Sequence, residues 1–144
     1  MKKKLLVIMG LGALLSMVAT PAYADSYDLI PANDGGGCNA SVSINVRALA
    51  SDVYVMRASG GADCPGAGVT NVKVCVLKQQ ANGDYEEAGG ACGAGASQGR
   101  ATASAEIVCE GGTNYRGSIV ATQGTTIGKN RTQPINCPPI LPLP

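Results

Sequence analysis

Six cysteines are the residues whose type and spacing say most about the chemistry of this 144-residue chain, which contains no histidine. Their number is even, and no two of them have the CxxC spacing typical of zinc sites. In an exported chain, such a set predicts three disulfides rather than a metal centre. The residues are Cys38, Cys64, Cys75, Cys92, Cys109 and Cys137.

Acidic pairs are the remaining candidates for catalysis, since without histidine no Ser-His or Cys-His couple can form. Glu86 and Glu87 are neighbours, so in a strand their side chains point to opposite faces. Glu106 and Glu110 would share a face, but solvated charges at a sheet edge are a far commoner arrangement than a carboxylate dyad. We therefore predict no catalytic residue, no metal and no cofactor, and a protein that is not an enzyme.

Residues 1–24 have the three parts of a secretory signal: basic Lys2–Lys4, an apolar run over Leu5–Val18, and Ala22-Tyr23-Ala24 as an A-x-A cleavage site. The apolar run is too short for a transmembrane anchor, and no later run has membrane length. We predict a secreted chain that begins at Asp25 and does not insert into a membrane. The short lysine-led signal is typical of bacteria, so the protein would be extracellular, or periplasmic if the source is Gram-negative.

The predicted mature chain has a thin core and little net charge. Val, Ile and Leu supply 22 of its 120 residues, and Phe and Trp are absent. Eight Lys and Arg against ten Asp and Glu leave about −2, which predicts neither nucleic acid nor an anionic membrane as a partner. Three disulfides, at about 3–4 kcal/mol each, would compensate for the thin core.

Alternation of apolar and polar residues predicts β-strands throughout the mature chain. Val72, Val74 and Val76, for example, fall on one face of an extended segment. No stretch of helical period follows the signal. The seven predicted strands are residues 42–48, 52–58, 69–79, the return strand of the hairpin after residue 83, 101–109, 115–122 and 126–129.

Asn82-Gly83 predicts a type I′ hairpin turn, which would place residue 90 opposite Cys75 and Cys92 diagonally across from it. Each pair of consecutive cysteines brackets a predicted hairpin. The sequence therefore favours the pairs Cys38–Cys64, Cys75–Cys92 and Cys109–Cys137. The main alternative is a link between sheets, such as Cys75 to Cys109.

Tyr115, Ile119 and Ala121 resemble the Y-x-V-x-V-x-A stretch of a late strand in fibronectin type III and immunoglobulin-like domains. The resemblance implies an Ig-like sandwich in which Tyr115 forms a structural corner through its hydroxyl. Together with the alternation, it predicts an all-β fold: one disulfide-stabilised Ig-like β-sandwich of about seven antiparallel strands. The predicted divisions are a signal peptide (1–24), a flexible N-terminal arm (25–37), the sandwich domain (38–137) and a Pro-rich tail (138–144).

Recognition through loops is the predicted function, because sandwich domains usually carry their binding residues there. The candidate loops are Ser59–Gly68, Gly89–Arg100 and Gly111–Asn114. Few tyrosines remain for stacking on sugars or bases. We expect a binding or inhibitory module for an extracellular protein or cell-surface ligand. The alternatives are a surface or structural protein that assembles through its sheet edges and, less favoured because of the near-neutral charge, a secreted toxin or antimicrobial.

Overall fold

The structure is a computed structural model that describes residues 23–24 and 37–140. Most of the predicted signal and N-terminal arm, and the last four residues of the tail, lie outside these ranges. The described residues form nine strands and no helix. The strands are β1 (Tyr23–Ala24), β2 (Asn39–Ala50), β3 (Val53–Asp63), β4 (Val69–Gln79), β5 (Tyr85–Gln98), β6 (Ala101–Val108), β7 (Asn114–Gln123), β8 (Thr126–Arg131) and β9 (Ile135–Asn136).

Two antiparallel sheets hold these strands. The four-stranded sheet has the order β1-β2-β3-β6, and the five-stranded sheet has the order β5-β4-β7-β8 with β9 beside β7. Strands β2 and β3 pack on β7, and β3 also packs on β4, so the sheets lie face to face. The predicted all-β, two-sheet class is confirmed, with nine strands rather than seven because β1 and β9 have only two residues each.

The core lies between the sheets and is built from small and aliphatic side chains. Ile44 and Met56 from the first sheet and Val74, Val76 and Ile119 from the second are essentially inaccessible to solvent. Because side chains alternate along a strand, every second residue of β2 and β4 points into this layer, as the sequence pattern predicts.

The hairpin between β4 and β5 differs from the prediction. Gln79 pairs with Tyr85, so the connection spans the five residues 80–84 instead of the two of a type I′ turn. Gly83 has a positive φ of 89°, whereas Asn82 does not adopt a positive φ. The Asn82 side chain instead accepts a hydrogen bond from the Asp84 amide (3.0 Å), an Asx turn that competes with the I′ conformation.

The register of this hairpin also shifts beyond its loop. Leu77 pairs with Glu87, but Cys75 pairs directly with Cys92, so β5 carries extra residues at an irregularity between them. The predicted diagonal placement of the two cysteines is therefore wrong, because the irregularity moves Cys92 into the position opposite Cys75.

Three disulfides link consecutive cysteines, which is the pairing that the sequence favoured. They join Cys38 to Cys64, Cys75 to Cys92 and Cys109 to Cys137. No free cysteine is found among the described residues. The first bond ties the beginning of β2 to the end of β3, and the third ties the end of β6 to the segment after β9, so both fasten strand ends. The second joins the middle of β4 to the middle of β5.

The glycine- and alanine-rich stretch 89–99 is predicted as a loop, and this prediction is wrong. Most of it belongs to strand β5, which runs to Gln98. Gly93 and Gly95 face β6 so closely that a Cβ at either position would overlap the carbonyl oxygen of Ser104 or Thr102, respectively. The lack of side-chain bulk is therefore what lets the edges of the two sheets meet.

The opposite side of the fold is closed by a side chain. The Nδ2 group of Asn130, a buried residue of β8, donates a hydrogen bond to the carbonyl oxygen of Ala40 in β2 (2.9 Å). Gly128 also lies directly against the Cys38 carbonyl. The two sheets are thus in contact on both sides, β5 with β6 on one side and β8 with β2, the strand next to β1, on the other.

Candidate functional site

The first candidate loop, Ser59–Gly68, is mostly strand. Ser59 to Asp63 lie in β3, and only the short connection to β4 remains. Gln123, 9% exposed, holds this connection through its side-chain amide. Its Oε1 accepts a hydrogen bond from the Gly66 amide (2.8 Å), and its Nε2 donates to the carbonyls of Gly66 (3.1 Å) and Gly68 (2.9 Å). A connection held in this way is poorly suited to adapting to a partner.

The third candidate loop, Gly111–Asn114, is fastened to the C-terminal segment. The Gly112 amide donates to the Cys137 carbonyl, and the Cys137 amide donates to the Thr113 carbonyl, each at 2.8 Å. Asn136 adds side-chain hydrogen bonds to the Gly112 carbonyl and to Asn114. The disulfide from Cys109 fixes the same segment. This loop, too, is part of the scaffold.

A concave surface lies on a sheet face rather than among loops. It occupies the outer face of the four-stranded sheet beside β5 and has a volume of about 860 Å³. We call it the hydroxyl trough. The polar side chains that line it are Ser41, Ser43, Arg57, Ser59, Arg100, Thr102 and Ser104.

Small residues in adjacent strands create this concavity. Ser43, Ser59 and Ser104 stand side by side in one row across β2, β3 and β6, and Ser41, Gly61 and Thr102 form the next row. Neighbouring strands are only about 4.8 Å apart, so a large side chain on one strand would cover the position beside it on the next. Because the side chains of two successive rows are short, the floor stays open. The Ser43 hydroxyl donates to the carbonyl oxygen of Ser59 (3.3 Å) and so offers a ligand an acceptor, whereas the other four hydroxyl groups can both donate and accept a hydrogen bond. The floor therefore suits a ligand that also carries both kinds of group.

Two arginines stand at the ends of the trough. Arg100 lies over Gly61, with Nη2 and Nε 3.0 and 3.2 Å from where a Cβ at that glycine would be, and its Nη1 bonds Asp63 at 2.7 Å. Arg57 is exposed at the other end, in the row after Ser59. The trough therefore combines hydroxyl groups with positive charge.

The trough is not among the sites predicted from the sequence, although its lining contains residues of two candidate loops. Ser59 and Gly61 come from the first candidate range, and Gly93 and Arg100 come from the second. The one indication in the sequence was that hydroxyl residues alternate with apolar ones, Ser41 and Ser43 in β2 and Thr102 and Ser104 in β6. The missing information was which strands are neighbours.

Three of the four acidic residues considered for catalysis, Glu87, Glu106 and Glu110, pair with different cations. Glu106 accepts hydrogen bonds from Arg47 at 3.0 and 3.2 Å through both carboxylate oxygens. Glu110 bonds Lys78 at 2.7 Å, and Glu87 bonds Lys73 at 2.8 Å. These contacts give each carboxylate a structural partner.

The pKa of Lys78 is raised above its ordinary value of 10.5, chiefly because its ammonium donates a hydrogen bond to Glu110, while desolvation works in the opposite direction. A raised lysine pKa stabilises the fold below the ordinary value, and this contribution disappears as the pH rises through the raised value. At neutral pH Lys78 is therefore charged and offers no general base.

A group with metal-ligand residue types occurs once within residues 23–24 and 37–140. It consists of Cys75, Glu87 and Cys92, whose ligand atoms lie within 4.8 Å of one another. The two sulfurs are joined in a disulfide, so they lack the thiolate form that binds metals. The group thus has the chemistry of a crosslink beside a carboxylate.

Tyr54, Tyr85 and Tyr115 serve the scaffold and do not line the trough. Tyr115 is buried, and its hydroxyl accepts a hydrogen bond from the Glu110 amide at 2.9 Å. Tyr85 packs under the guanidinium of Arg116, 4.5 Å from its ring centre. Tyr54 is partly buried against the core. A ligand in the trough would therefore be held by hydrogen bonds and charge rather than by stacking.

Positive charge also gathers on the outer face of the five-stranded sheet. Lys73 and Lys129 share one row across this sheet, separated by Val120, and Arg131 lies opposite Ser118 in the next row. Of these cations, Lys73 is paired with Glu87. This basic face lies on the other side of the molecule from the trough.

No protein-family model matches the chain, and no curated protein matches its sequence significantly. Among the described residues, no helix has the length and apolar character needed to cross a membrane. Any statement about function therefore depends on the geometry of the sheets and the trough.

Proposed function

We propose that the chain is a small, secreted, non-enzymatic binding module whose ligand occupies the hydroxyl trough. The observation that carries the proposal is the concentration of five hydroxyl side chains and two arginines in one concave surface of about 860 Å³. This volume falls in the range of about 300–1,000 Å³ common for ligand sites. The polar lining favours a hydrophilic ligand, such as a saccharide exposed at a cell surface.

The scaffold is proposed to be Ig-like. If β2 to β8 are lettered A to G in chain order, strands A, B and E share one sheet and strands C, F and G share the other, as in immunoglobulin domains. Strand D, which is β5, lies beside strand C, whereas in immunoglobulin constant-type domains it lies beside strand E. The hydrogen bond between the Tyr115 hydroxyl and the Glu110 amide, five residues upstream, supports the corner that the sequence resemblance implies.

Export is part of the same proposal. Three disulfides are typical of extracellular proteins. Two of them link strand ends, and the Cys75–Cys92 bond joins β4 to β5 within the strands, where the thin aliphatic core gains support from a crosslink. The predicted cleavage after Ala24 would release strands β2 to β9 and would remove β1 (Tyr23–Ala24) with the signal.

The binding surface is proposed to be a sheet face and not the loops. Two of the predicted loops are fastened by Gln123 and by the Cys137 segment, and the third is mostly strand β5. The alternative of assembly through sheet edges has less support, because β5 and β6 meet on one side and β2 and β8 meet on the other. An adaptable surface is therefore best sought in the trough.

The test is to screen the secreted protein against an array of neutral and acidic oligosaccharides and to compare two variants. Ser59→Ile would fill the middle of the trough. Ser118→Ile is the matched control, since Ser118 occupies the central strand β7 and faces outward on the other sheet. We expect Ser59→Ile to abolish binding and Ser118→Ile to retain it. Absence of any saccharide ligand, or equal binding by both variants, would contradict the proposal.

A further inference from the structure

We propose that the ligand of the hydroxyl trough is an acidic saccharide, whose carboxylate pairs with Arg57 while its hydroxyl groups bond the serine and threonine side chains. The inference rests on the proposed function and specifies the substrate class of the same site. It follows from the hydrogen-bond partners that the groups around Arg57 already have, from the spacing of the two arginines and from the chemistry of the lining.

Arg57 has a guanidinium that is free to bind an anion. Its neighbours across β2 and β6 are Asn45 and Glu106. Glu106 would be its natural partner, but both oxygens of that carboxylate already accept hydrogen bonds from Arg47. Among residues 23–24 and 37–140, the structure shows neither an ion pair nor a side-chain hydrogen bond for Arg57. A guanidinium fork fits a carboxylate through two parallel hydrogen bonds, so an acidic group is the natural complement.

Arg100 lies at the far end of the site and, unlike Arg57, already has an acidic partner. One of its nitrogens already bonds Asp63, so much of its charge is compensated. Its guanidinium covers Gly61, which is four residues from Arg57 along β3. Four residues of an extended strand span about 13 Å. The two arginines thus bracket a floor longer than one sugar ring, with Arg57 as the main anchor for charge.

The floor between the arginines favours a ligand rich in hydroxyl groups. Ser59 and Ser104 are paired neighbours, and Ser43 adds a third hydroxyl in the same row. The only aliphatic side chain larger than alanine in the lining is Val42, which is 5% exposed and belongs to the core. A lipid would therefore find little apolar surface in the trough, and a nucleic acid would find no aromatic ring on which to stack its bases.

The basic face on the other sheet is the competing location for an acidic polymer. Lys129 and Arg131 lie there on β8, both exposed. That face offers charge with few hydroxyl groups, so it would attract any polyanion in proportion to its charge. The trough is distinguished because its arginines stand among hydroxyl groups, and this difference can be measured.

The experiment uses oligogalacturonate and its fully methyl-esterified form, which share a backbone and differ in carboxylate charge. Titration calorimetry with the disulfide-bonded protein should give tighter binding of the acidic form. Arg57→Gln should weaken that binding about tenfold or more, the loss expected for one charged hydrogen-bonded contact. Arg57→Lys should weaken it less, since the charge remains but the fork is lost. Lys129→Gln is the matched control and should change it little.

Three results would overturn the inference, and each has a different meaning. Equal affinity for the acid and the ester, with binding still abolished by Ser59→Ile, would show a neutral-sugar site and leave the proposed function intact. Weaker binding in Lys129→Gln but not in Arg57→Gln would place the polymer on the basic face. Binding of neither probe, together with an array that yields no saccharide, would remove the proposed function as well.

Discussion

Gly93 of β5 lies directly against the carbonyl oxygen of Ser104 of β6, at a distance that leaves room for a hydrogen atom but not for a methyl group. The two strands belong to different sheets and are joined by the short turn before Ala101. Such Cα–H···O contacts are individually weak, but they let the backbones approach closely. The wall of the hydroxyl trough at β5 exists because of this approach.

Gly93→Ala should destabilise the protein by about 1–3 kcal/mol, the usual range for forcing an extra carbon into a packed site. Gly89→Ala is the control, because a Cβ at Gly89 would meet no atom within 4 Å and its φ is not positive. Urea denaturation of the oxidised variants measures both values. Equal stability of the two variants would mean that β5 and β6 are farther apart than the structure shows.

The alternation of residues made the strands predictable. Val42 and Ile44 point to the core and Ser41 and Ser43 point to solvent, as a period of two requires. The site itself could not be predicted in this way. The row of Ser43 contains Ser104, which is distant in sequence, so the trough depends on the order and register of three strands.

The stretch around Gly93 and the Asn82-Gly83 turn show two other limits of predicting structure from local sequence. Glycine and alanine supply little bulk, so local composition favours a loop over 89–99, whereas close packing against β6 makes a strand of the same residues. At Asn82-Gly83 a local preference for a two-residue turn gives way to the Asx turn of Asn82 and to the register that pairs Cys75 with Cys92. Tertiary contacts decide both cases.

Tyr115→Phe should lower the free energy of unfolding by about 1–3 kcal/mol, since it leaves the part-buried amide of Glu110 without its acceptor. Tyr85→Phe is the matched control, because it keeps the ring on which Arg116 stacks. Thermal melts of both variants with the disulfides intact provide the comparison. A loss in Tyr85→Phe as large as that in Tyr115→Phe would show that the corner hydrogen bond contributes little.

Gln123→Glu should destabilise the connection between β3 and β4 by about 2–3 kcal/mol at neutral pH. The carboxylate would face the carbonyls of Gly66 and Gly68, which now accept hydrogen bonds from the amide nitrogen. Gln133→Glu makes the same change at an exposed position and should be neutral. Hydrogen exchange of the Gly66 amide, together with chemical denaturation, separates local loosening from global destabilisation. A stability of Gln123→Glu equal to that of Gln133→Glu would contradict the clamp.

Cys75 and Cys92 lie directly opposite each other, so their disulfide staples β4 to β5 at the point where the register shifts. Replacing both by alanine should destabilise the protein by about 3 kcal/mol, the value expected from a crosslink that closes a loop of about 17 residues. The other two disulfides should still form, because each fastens a different pair of strand ends.

Peptide mapping of the unreduced protein tests this pairing, and intact-mass analysis after alkylation tests for free thiols. We expect one peptide pair that joins the segment after Lys73 to the segment after Lys78, and no alkyl group taken up by the native protein. Gly83→Val should slow the oxidation of this pair, because Gly83 has a φ of 89° and a β-branched residue resists that conformation. A mapped link from Cys75 to Cys109 would contradict the hairpin, since it would require a bond between the two sheets.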